Sequence, residues 1–146
     1  MRALLEGCRR GVLATRAPDG SARLVPVCFA IVDGADGPRL VTPIDEKPKA
    51  SADPLALART RDVRARPDVV LLFDRWDEDW THLAWVRIYG TARLVWPGEA
   101  EHPAGLAALR ARYPQYRTQA LERLPLMVVE PARIVRWPAP PTPAPR

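Results

Sequence analysis

The sequence predicts a mainly β fold of the α+β class, in which six antiparallel strands form a small barrel with short peripheral helices. Short apolar segments rich in valine, isoleucine and leucine recur along the 146 residues. Turn residues separate several of these segments, and prolines bound the helical ones. No internal repeat is visible, so we expect one domain over residues 1–137. The proline-rich residues 138–146 are expected to form a disordered tail.

The first part of the chain predicts a short helix and then a meander of three antiparallel strands. The helix is expected in residues 4–10, and the strands in residues 11–17, 21–32 and 38–44. Asp19 and Gly20 join the first two strands, because this dipeptide suits a tight hairpin turn. The third strand leads directly into a charged loop.

The second part of the chain alternates helices with three further strands. These elements are expected in residues 53–65 (helix), 68–74 and 83–96 (strands), 100–113 (helix) and 126–137 (strand). Asp53 followed by Pro54 is typical of a helix start. Gly90, within a strand, predicts a bulge or a close backbone approach. Helical spacing, which predicts a buried helix face, recurs at Leu106, Leu109 and Tyr113.

Charge and hydropathy limit the partners. The chain has 22 basic and 17 acidic residues and a formal charge of +5, which suits an anionic ligand as well as nucleic acid. It contains no recognised nucleic-acid motif, so no nucleic-acid partner is expected. No apolar run approaches the roughly 18 residues of a membrane span. Residues 1–11 lack the pattern of a signal peptide, so we expect a cytoplasmic protein with no membrane partner.

The cysteines and histidines predict neither a metal site nor a disulfide framework. Cys8 and Cys28 form no CxxC pair, and only two histidines complement them. His82 and His102 are expected at the surface or in helix caps. The four acids of residues 74–79 lack the spacing of a calcium loop. Because the chain also lacks a convincing nucleophile or acid-base set, no catalytic residue is assigned, which mildly favours a redox cofactor.

Several segments together resemble a known family. They are residues 11–31, 41–49, 65–74, 77–94 and 109–116. This order is similar to that of the split-barrel proteins related to pyridoxamine-phosphate oxidase, in particular the branch that uses the deazaflavin coenzyme F-420. The resemblance extends over residues 3–137, and its most specific parts are the Lys47-Pro48-Lys49 loop and the block that begins at residue 77.

The resemblance implies a homodimer with the coenzyme in a groove at the subunit interface. On that pattern the backbone of Val25, Pro26 and Val27 lines the ring, while Thr42 and the lysines of the following loop hold the phosphate. The implied activity is hydride transfer to or from a small conjugated substrate. An FMN-binding oxidase or flavin reductase of the same fold, or a non-enzymatic module that binds a cofactor or haem, is the alternative.

The lysine loop also has a physical reason to bind phosphate. Pro48 stiffens a turn between the ammonium groups of Lys47 and Lys49, which lowers the cost of ordering a phosphate cradle. The alternative is a solvated loop in which Asp45 and Glu46 pair with the lysines.

Arginines of the following helix are further candidates. Arg59, Arg61, Arg64 and Arg66 cannot all lie on one face at 3.6 residues per turn. We expect Arg59 or Arg61 near the anionic tail of the cofactor, with a solvated helix face as the alternative.

Three tryptophans lie around one strand end. Trp76, Trp80 and Trp85 are costly to expose, so we expect them to pack in the core or at the dimer interface, or to wall the ring pocket. Arg87, on the same strand as Trp85, faces either that pocket or solvent.

Overall fold

The structure is a computed structural model that describes residues 2–45 and 53–138. The described residues form the strands Gly11–Arg16 (β1), Ala22–Val27 (β2), Ala30–Gly34 (β3), Gly37–Pro43 (β4), Asp68–Arg75 (β5), Ala84–Val95 (β6) and Leu126–Trp137 (β7). The helices are Arg2–Gly7 (α1), Ala58–Ala65 (α2) and His102–Arg112 (α3). The mainly β prediction is confirmed. Lys47, Pro48 and Lys49 lie outside the described residues, as does the predicted tail beyond Pro138.

The strands form one curled antiparallel sheet. Their order is β2-β1-β5-β6-β7-β4-β3, so β2 and β3 lie at opposite ends. In a flat sheet, six strand spacings would separate these ends by about 29 Å. The chain passes from Val27 to Ala30 in three residue steps, which span at most about 11 Å. The sheet must therefore curl until its ends approach, and this open, barrel-like shape is consistent with a split barrel.

The prediction of six strands is wrong, because the second predicted strand is two. β2 pairs with β1, whereas β3 pairs with β4. Between β2 and β3, the backbone N–H of Phe29 donates to the hydroxyl of Tyr113 at 3.0 Å. The same hydroxyl donates to the carbonyl oxygen of Arg9 at 3.1 Å. Tyr113 thus supplies the hydrogen bond that a neighbouring strand would otherwise provide, and the predicted meander becomes two separate hairpins.

The helix after the charged loop begins later than predicted. Asp53 accepts a hydrogen bond from the N–H of Leu55 at 2.9 Å, but this cap starts only a 3-10 turn over Pro54–Ala56. Leu57 is extended, and α2 then runs to Ala65. None of the helices in residues 2–45 and 53–138 is long and apolar enough to cross a membrane.

Gly90 has the role that the sequence predicts. The β6–β7 register shifts between Tyr89 and Gly90, which marks a bulge. A Cβ atom at Gly90 would collide with the backbone carbonyl of Glu130. Both the bulge and the close approach are therefore confirmed.

The core consists of two clusters on the two faces of the sheet. One fills the inside of the curl with large side chains such as Leu13, Phe73 and Ile88. The other packs α3 against β3, β4 and the first residues of β7. It includes the residues that the spacing predicted: Leu106 and Leu109 of α3, and Tyr113, which follows the helix directly. Burying a side chain of this size stabilises the fold by about 1.5–3 kcal/mol.

Candidate functional site

One outward face of the sheet lacks a covering helix in the part of the chain that the structure describes. Side chains alternate along β1, β5 and β6, so that Leu13, Leu71 and Ile88 point into the core while their neighbours point outward. We call the outward set the open sheet face. Its apolar and aromatic members are Val12, Ala14, Leu24, Pro26, Val70, Leu72, Trp85, Tyr89, Val135 and Trp137. Leu24 is 65% exposed and Trp137 is 44% exposed.

A groove of about 610 Å³ lies on the open sheet face. Its lining includes Tyr89 and Arg133, which are direct cross-strand neighbours. The guanidinium carbon of Arg133 lies 3.8 Å from the centroid of the Tyr89 ring, and that of Arg87 lies 5.4 Å from it. Cations at this distance from an aromatic ring are attracted to it. The groove therefore offers an aromatic surface flanked by positive charge, which suits a planar ligand that carries negative charge.

The structure brings three predicted site residues onto this face. Pro26, Val12, Leu72 and Arg87 follow one another in a single cross-strand row. Three strand spacings place Pro26 and Arg87 about 14 Å apart. Trp85 lies beside Arg87, whose guanidinium carbon is 5.4 Å from an indole centroid. Arg87 thus faces the groove side of the sheet, one of the two outcomes left open by the sequence.

Val25 and Val27 present a different surface. Val27 is buried and Val25 packs against the inner core, so neither side chain belongs to the open sheet face. Their strand is the last one at its end of the sheet and pairs only with β1. An edge strand leaves part of its backbone N–H and C=O groups without a strand partner. A role for this segment through its backbone is therefore compatible with the geometry.

A buried polar cluster lies where β4 ends and the charged loop begins. Asp45 is 7% exposed and accepts a hydrogen bond from the Tyr116 hydroxyl at 3.0 Å. Thr42 is 3% exposed and, two residues after Leu40 on β4, lies on the same face of the strand as that core residue. Within the described residues, three side-chain atoms are buried without a hydrogen-bond partner: the Thr42 Oγ1, the Arg59 Nε and the Thr60 Oγ1. Thr42 precedes the lysine loop, and Arg59 and Thr60 follow it on α2.

The electrostatics of this cluster are set mainly by burial. Burial raises the pKa of the Tyr116 phenol, and the neighbouring Cys28 thiol and Asp45 carboxylate raise it further. Burial lowers the pKa of Arg59, while its attraction to Asp45 and Tyr116 opposes that effect. Tyr116 therefore remains a neutral hydrogen-bond donor to Asp45, and the guanidinium of Arg59 faces a negative charge.

The structure separates the two candidate arginines of α2. The Arg59 Nε is buried, and the neighbouring charge of Asp45 opposes the lowering of the Arg59 pKa by burial. Arg61 is exposed and lines a different cleft, together with Arg16, Arg23 and Arg66. The two arginines therefore lie in different surroundings, and which of them lies near the anionic tail of a cofactor stays a prediction.

The segment between β5 and β6, which we call the tryptophan loop, carries the most exposed large apolar side chains among the residues that the structure describes. Trp76 is 68% exposed and Trp80 is 71% exposed. The acids around them shape the backbone: Asp79 accepts from the N–H of Thr81 at 3.0 Å, and Asp77 accepts from the N–H of Asp79 at 2.9 Å. Among residues 2–45 and 53–138, no group of three or more His, Cys, Asp or Glu side chains could hold a metal ion.

The histidines lie outside the groove. His82 is exposed, with its Nδ1 3.4 Å from Asp77. His102, expected at the surface or in a cap, is the first residue of α3 but only 4% exposed. Its Nε2 lies 2.9 Å from the carbonyl oxygen of Leu124, which satisfies it inside the fold.

Sequence reasoning missed Tyr89 and Arg133. The alternation that puts Arg87 on the outer face also puts Tyr89 there, so this signal was present in the sequence. Arg133 is harder to predict, because its pairing with Tyr89 depends on the bulge at Gly90.

Comparison with known proteins supports the resemblance. The sequence profile described as pyridoxamine 5'-phosphate oxidase matches residues 1–137. No protein of curated function was found to match the chain in sequence.

Solved structures share this fold. A conserved hypothetical protein from Mycobacterium tuberculosis, Rv2991, is 21% identical over 92% of this chain and 80% of its own, with a TM-score of 0.69. A structure described as an F420 reductase is 22% identical over 92% of this chain and 94% of its own, with a TM-score of 0.65. HutZ, the haem storage protein of Vibrio cholerae, is 12% identical over 92% of this chain and 89% of its own, with a TM-score of 0.65. At these identities the likeness concerns the fold alone.

Proposed function

The chain belongs to the pyridoxamine 5'-phosphate oxidase family, and on that basis we propose that it is a cytoplasmic, homodimeric oxidoreductase that binds coenzyme F-420. In this proposal it transfers a hydride to or from a small conjugated substrate. The similarity in fold to an F420 reductase supports the choice of cofactor.

One observation carries the proposal: two buried hydrogen-bond donors flank the lysine loop without a partner among the described residues. These are the Thr42 hydroxyl and the Arg59 Nε–H. A buried polar group without a partner costs about 1–3 kcal/mol. A phosphate oxygen accepts strong hydrogen bonds from such donors, so the residues at this position fit a phosphate-bearing cofactor. Lys47 and Lys49, between these two donors in the sequence, would supply the positive charge.

The chain's own residues would bind and orient the coenzyme, whose deazaflavin ring supplies the hydride chemistry when bound. Backbone groups at the free edge of β2, over Val25, Pro26 and Val27, would position the ring. Trp80 and Trp85 would exclude water from it, and Arg87 would attract negative charge toward the open sheet face. No acid-base residue is required for this role, in line with the position of both histidines outside the groove.

The proposed dimer would form through the open sheet face. This face exposes Leu24, Leu72 and Trp137 next to the groove, and a contiguous apolar surface of this kind is typical of protein interfaces. Covering it with a second copy would also enclose the groove, so that both subunits contribute to the cofactor site.

A second candidate function is supported by the same comparisons. The family to which the chain belongs is named after pyridoxamine 5'-phosphate oxidase. HutZ, which has a similar fold, is a haem storage protein. FMN in place of F-420, in an oxidase or flavin reductase, would use the same phosphate donors. A non-enzymatic module that binds haem would have no use for the lysine loop.

Titration separates these candidates. The purified protein is titrated with F-420, FMN and haem, with fluorescence quenching read for the first two and the haem absorbance for the third. We expect F-420 to bind at least tenfold more tightly than FMN, with weak haem binding. Tighter binding of FMN would move the assignment to a flavin enzyme, and tight binding of haem alone would overturn the oxidoreductase proposal.

A further inference from the structure

A second, strongly basic cleft is lined entirely by residues outside the lysine loop. It has a volume of about 450 Å³ and lies between the β1–β2 hairpin and α2. Its lining consists of Arg16, Pro18, Arg23, Arg61, Asp62, Ala65 and Arg66. We call it the arginine cleft. Four guanidinium groups therefore surround a single carboxylate.

The inner wall of the arginine cleft is fixed by interactions within the protein. The Asp62 side chain is only 2% exposed, lies 3.2 Å from the Arg23 guanidinium and accepts a hydrogen bond from the Thr15 hydroxyl at 2.8 Å. Arg66 donates to the carbonyl oxygen of Ala17 at 3.0 Å. The one carboxylate is thus already paired, and two of the four arginines are held in place before any ligand arrives.

The outer wall has no such partners. Arg16 and Arg61 are exposed, and neither side chain makes a hydrogen bond or an ion pair with the residues that the structure describes. Because Asp62 is already committed to Arg23, no carboxylate of the lining remains to balance these two charges. Guanidinium groups bind phosphate and carboxylate through paired hydrogen bonds. Because Arg23 and Arg66 are already held in place, fewer side chains have to be ordered when an anion binds. The arrangement therefore selects an anion with more than one negative charge.

We propose that the arginine cleft binds a small polyanion that carries two or more phosphate or carboxylate groups. The ligand can be a free metabolite or an acidic extension of a molecule seated in the groove on the open sheet face. The second source is sterically reasonable because Arg16 lines both the cleft and the groove. The site shares no residue with the lysine loop, so it does not depend on the phosphate cradle proposed there.

Calorimetric titration with pyrophosphate tests the site directly. The background protein carries Lys47→Ala and Lys49→Ala, so that the lysine loop cannot contribute. In that background, Arg16→Gln with Arg61→Gln should weaken pyrophosphate binding at least about tenfold, since two charge-assisted contacts are lost. The matched control is Arg64→Gln with Arg123→Gln, which removes the same charge from two exposed arginines outside the cleft. The control should change the dissociation constant by less than about twofold.

Two results would overturn the proposal. One is that pyrophosphate does not bind the background protein at millimolar concentration. The other is that the cleft and control variants weaken binding equally, which would assign the effect to net charge. Neither result depends on whether F-420 binds, so failure of the site and failure of the proposed function can be distinguished.

A competition arm identifies the source of the anion. Pyrophosphate binding to the background protein is repeated with saturating F-420 and with a deazaflavin that keeps the phosphate but lacks the acidic tail. Displacement by F-420 alone supports the site and assigns it to the acidic extension of a groove ligand. Simultaneous binding with both supports it as a site for a free metabolite.

Discussion

The two ends of strand β7 lie in different surroundings. Leu126, Met127, Val128 and Val129 are buried, and the outward-facing members of this set pack under α3. Beyond the bulge opposite Gly90, most residues from Ala132 to Trp137 are exposed. The same strand therefore begins in the hydrophobic core and ends on an exposed surface. Because α3 covers the outer face of the sheet at one end only, the uncovered end is available to bind a ligand or another subunit.

The contacts of the arginines also differ between the end of the sheet that α3 covers and the open end. At the covered end, Glu101 lies 3.0 Å from Arg39 and 2.5 Å from Arg93, and Glu130 lies within 3.7 Å of both arginines. This network ties the start of α3 to the sheet. At the open end, Arg87 and Arg133 contact aromatic rings, and neither forms an ion pair with a described residue. Cations there are available to a ligand, whereas those at the covered end are already neutralised.

The largest difference between the two ends should appear in stability. Leu109→Ala removes a fully buried side chain beneath α3 and should cost about 2–5 kcal/mol in the free energy of unfolding. Leu24→Ala, on the open sheet face, should cost no more than about 0.5 kcal/mol in the monomer. Denaturant unfolding at two protein concentrations measures both. Any additional loss in Leu24→Ala should depend on concentration, because it would come from a subunit interface. A large loss that is independent of concentration would show that the open face is part of the monomer's own core.

The open face should also determine the oligomeric state. Light scattering at micromolar concentration is expected to give a homodimer for the wild-type protein. Leu24→Arg with Leu72→Arg places two charges on the open sheet face and should give a folded monomer, because unpaired charges are costly to bury. Ala111→Arg, exposed on α3, should remain dimeric. A wild-type monomer would remove the shared groove, and a dimer in all three proteins would place the interface elsewhere.

A smaller effect should come from Tyr116. Tyr116→Phe removes the hydrogen bond to buried Asp45 and should cost about 1–3 kcal/mol near neutral pH. The folded state raises the pKa of Tyr116 above its unfolded value of about 10, so the unfolded chain loses this proton first. The stabilisation is therefore complete below about pH 10 and is lost as the pH rises further. Unfolding at pH 7 and pH 10.5 should show the difference between wild type and variant shrinking at the higher pH. A constant difference would contradict the role of this phenol.

Most elements could be predicted from the sequence because they depend on local patterns. The alternation in β5 and β6, the helical spacing of α3 and the role of Gly90 each follow from neighbouring residues. The break between β2 and β3 could not be predicted, because it depends on a hydroxyl 84 residues away. The separation of Arg59 from Arg61 likewise depends on what packs against α2. Pairings across the sheet, such as Tyr89 with Arg133, require the register and not only the pattern.

The affinity for F-420 tests the central claim most directly. The dissociation constant is measured for the wild-type protein and for Lys47→Ala with Lys49→Ala at two salt concentrations. Two charge-assisted contacts to a phosphate, each worth about 1.5–3 kcal/mol, predict a loss of at least about a hundredfold in the variant. Higher salt should weaken the wild type more than the variant, because the lost contribution is electrostatic. Equal dissociation constants with a shared salt dependence would contradict the phosphate cradle and the cofactor assignment that rests on it.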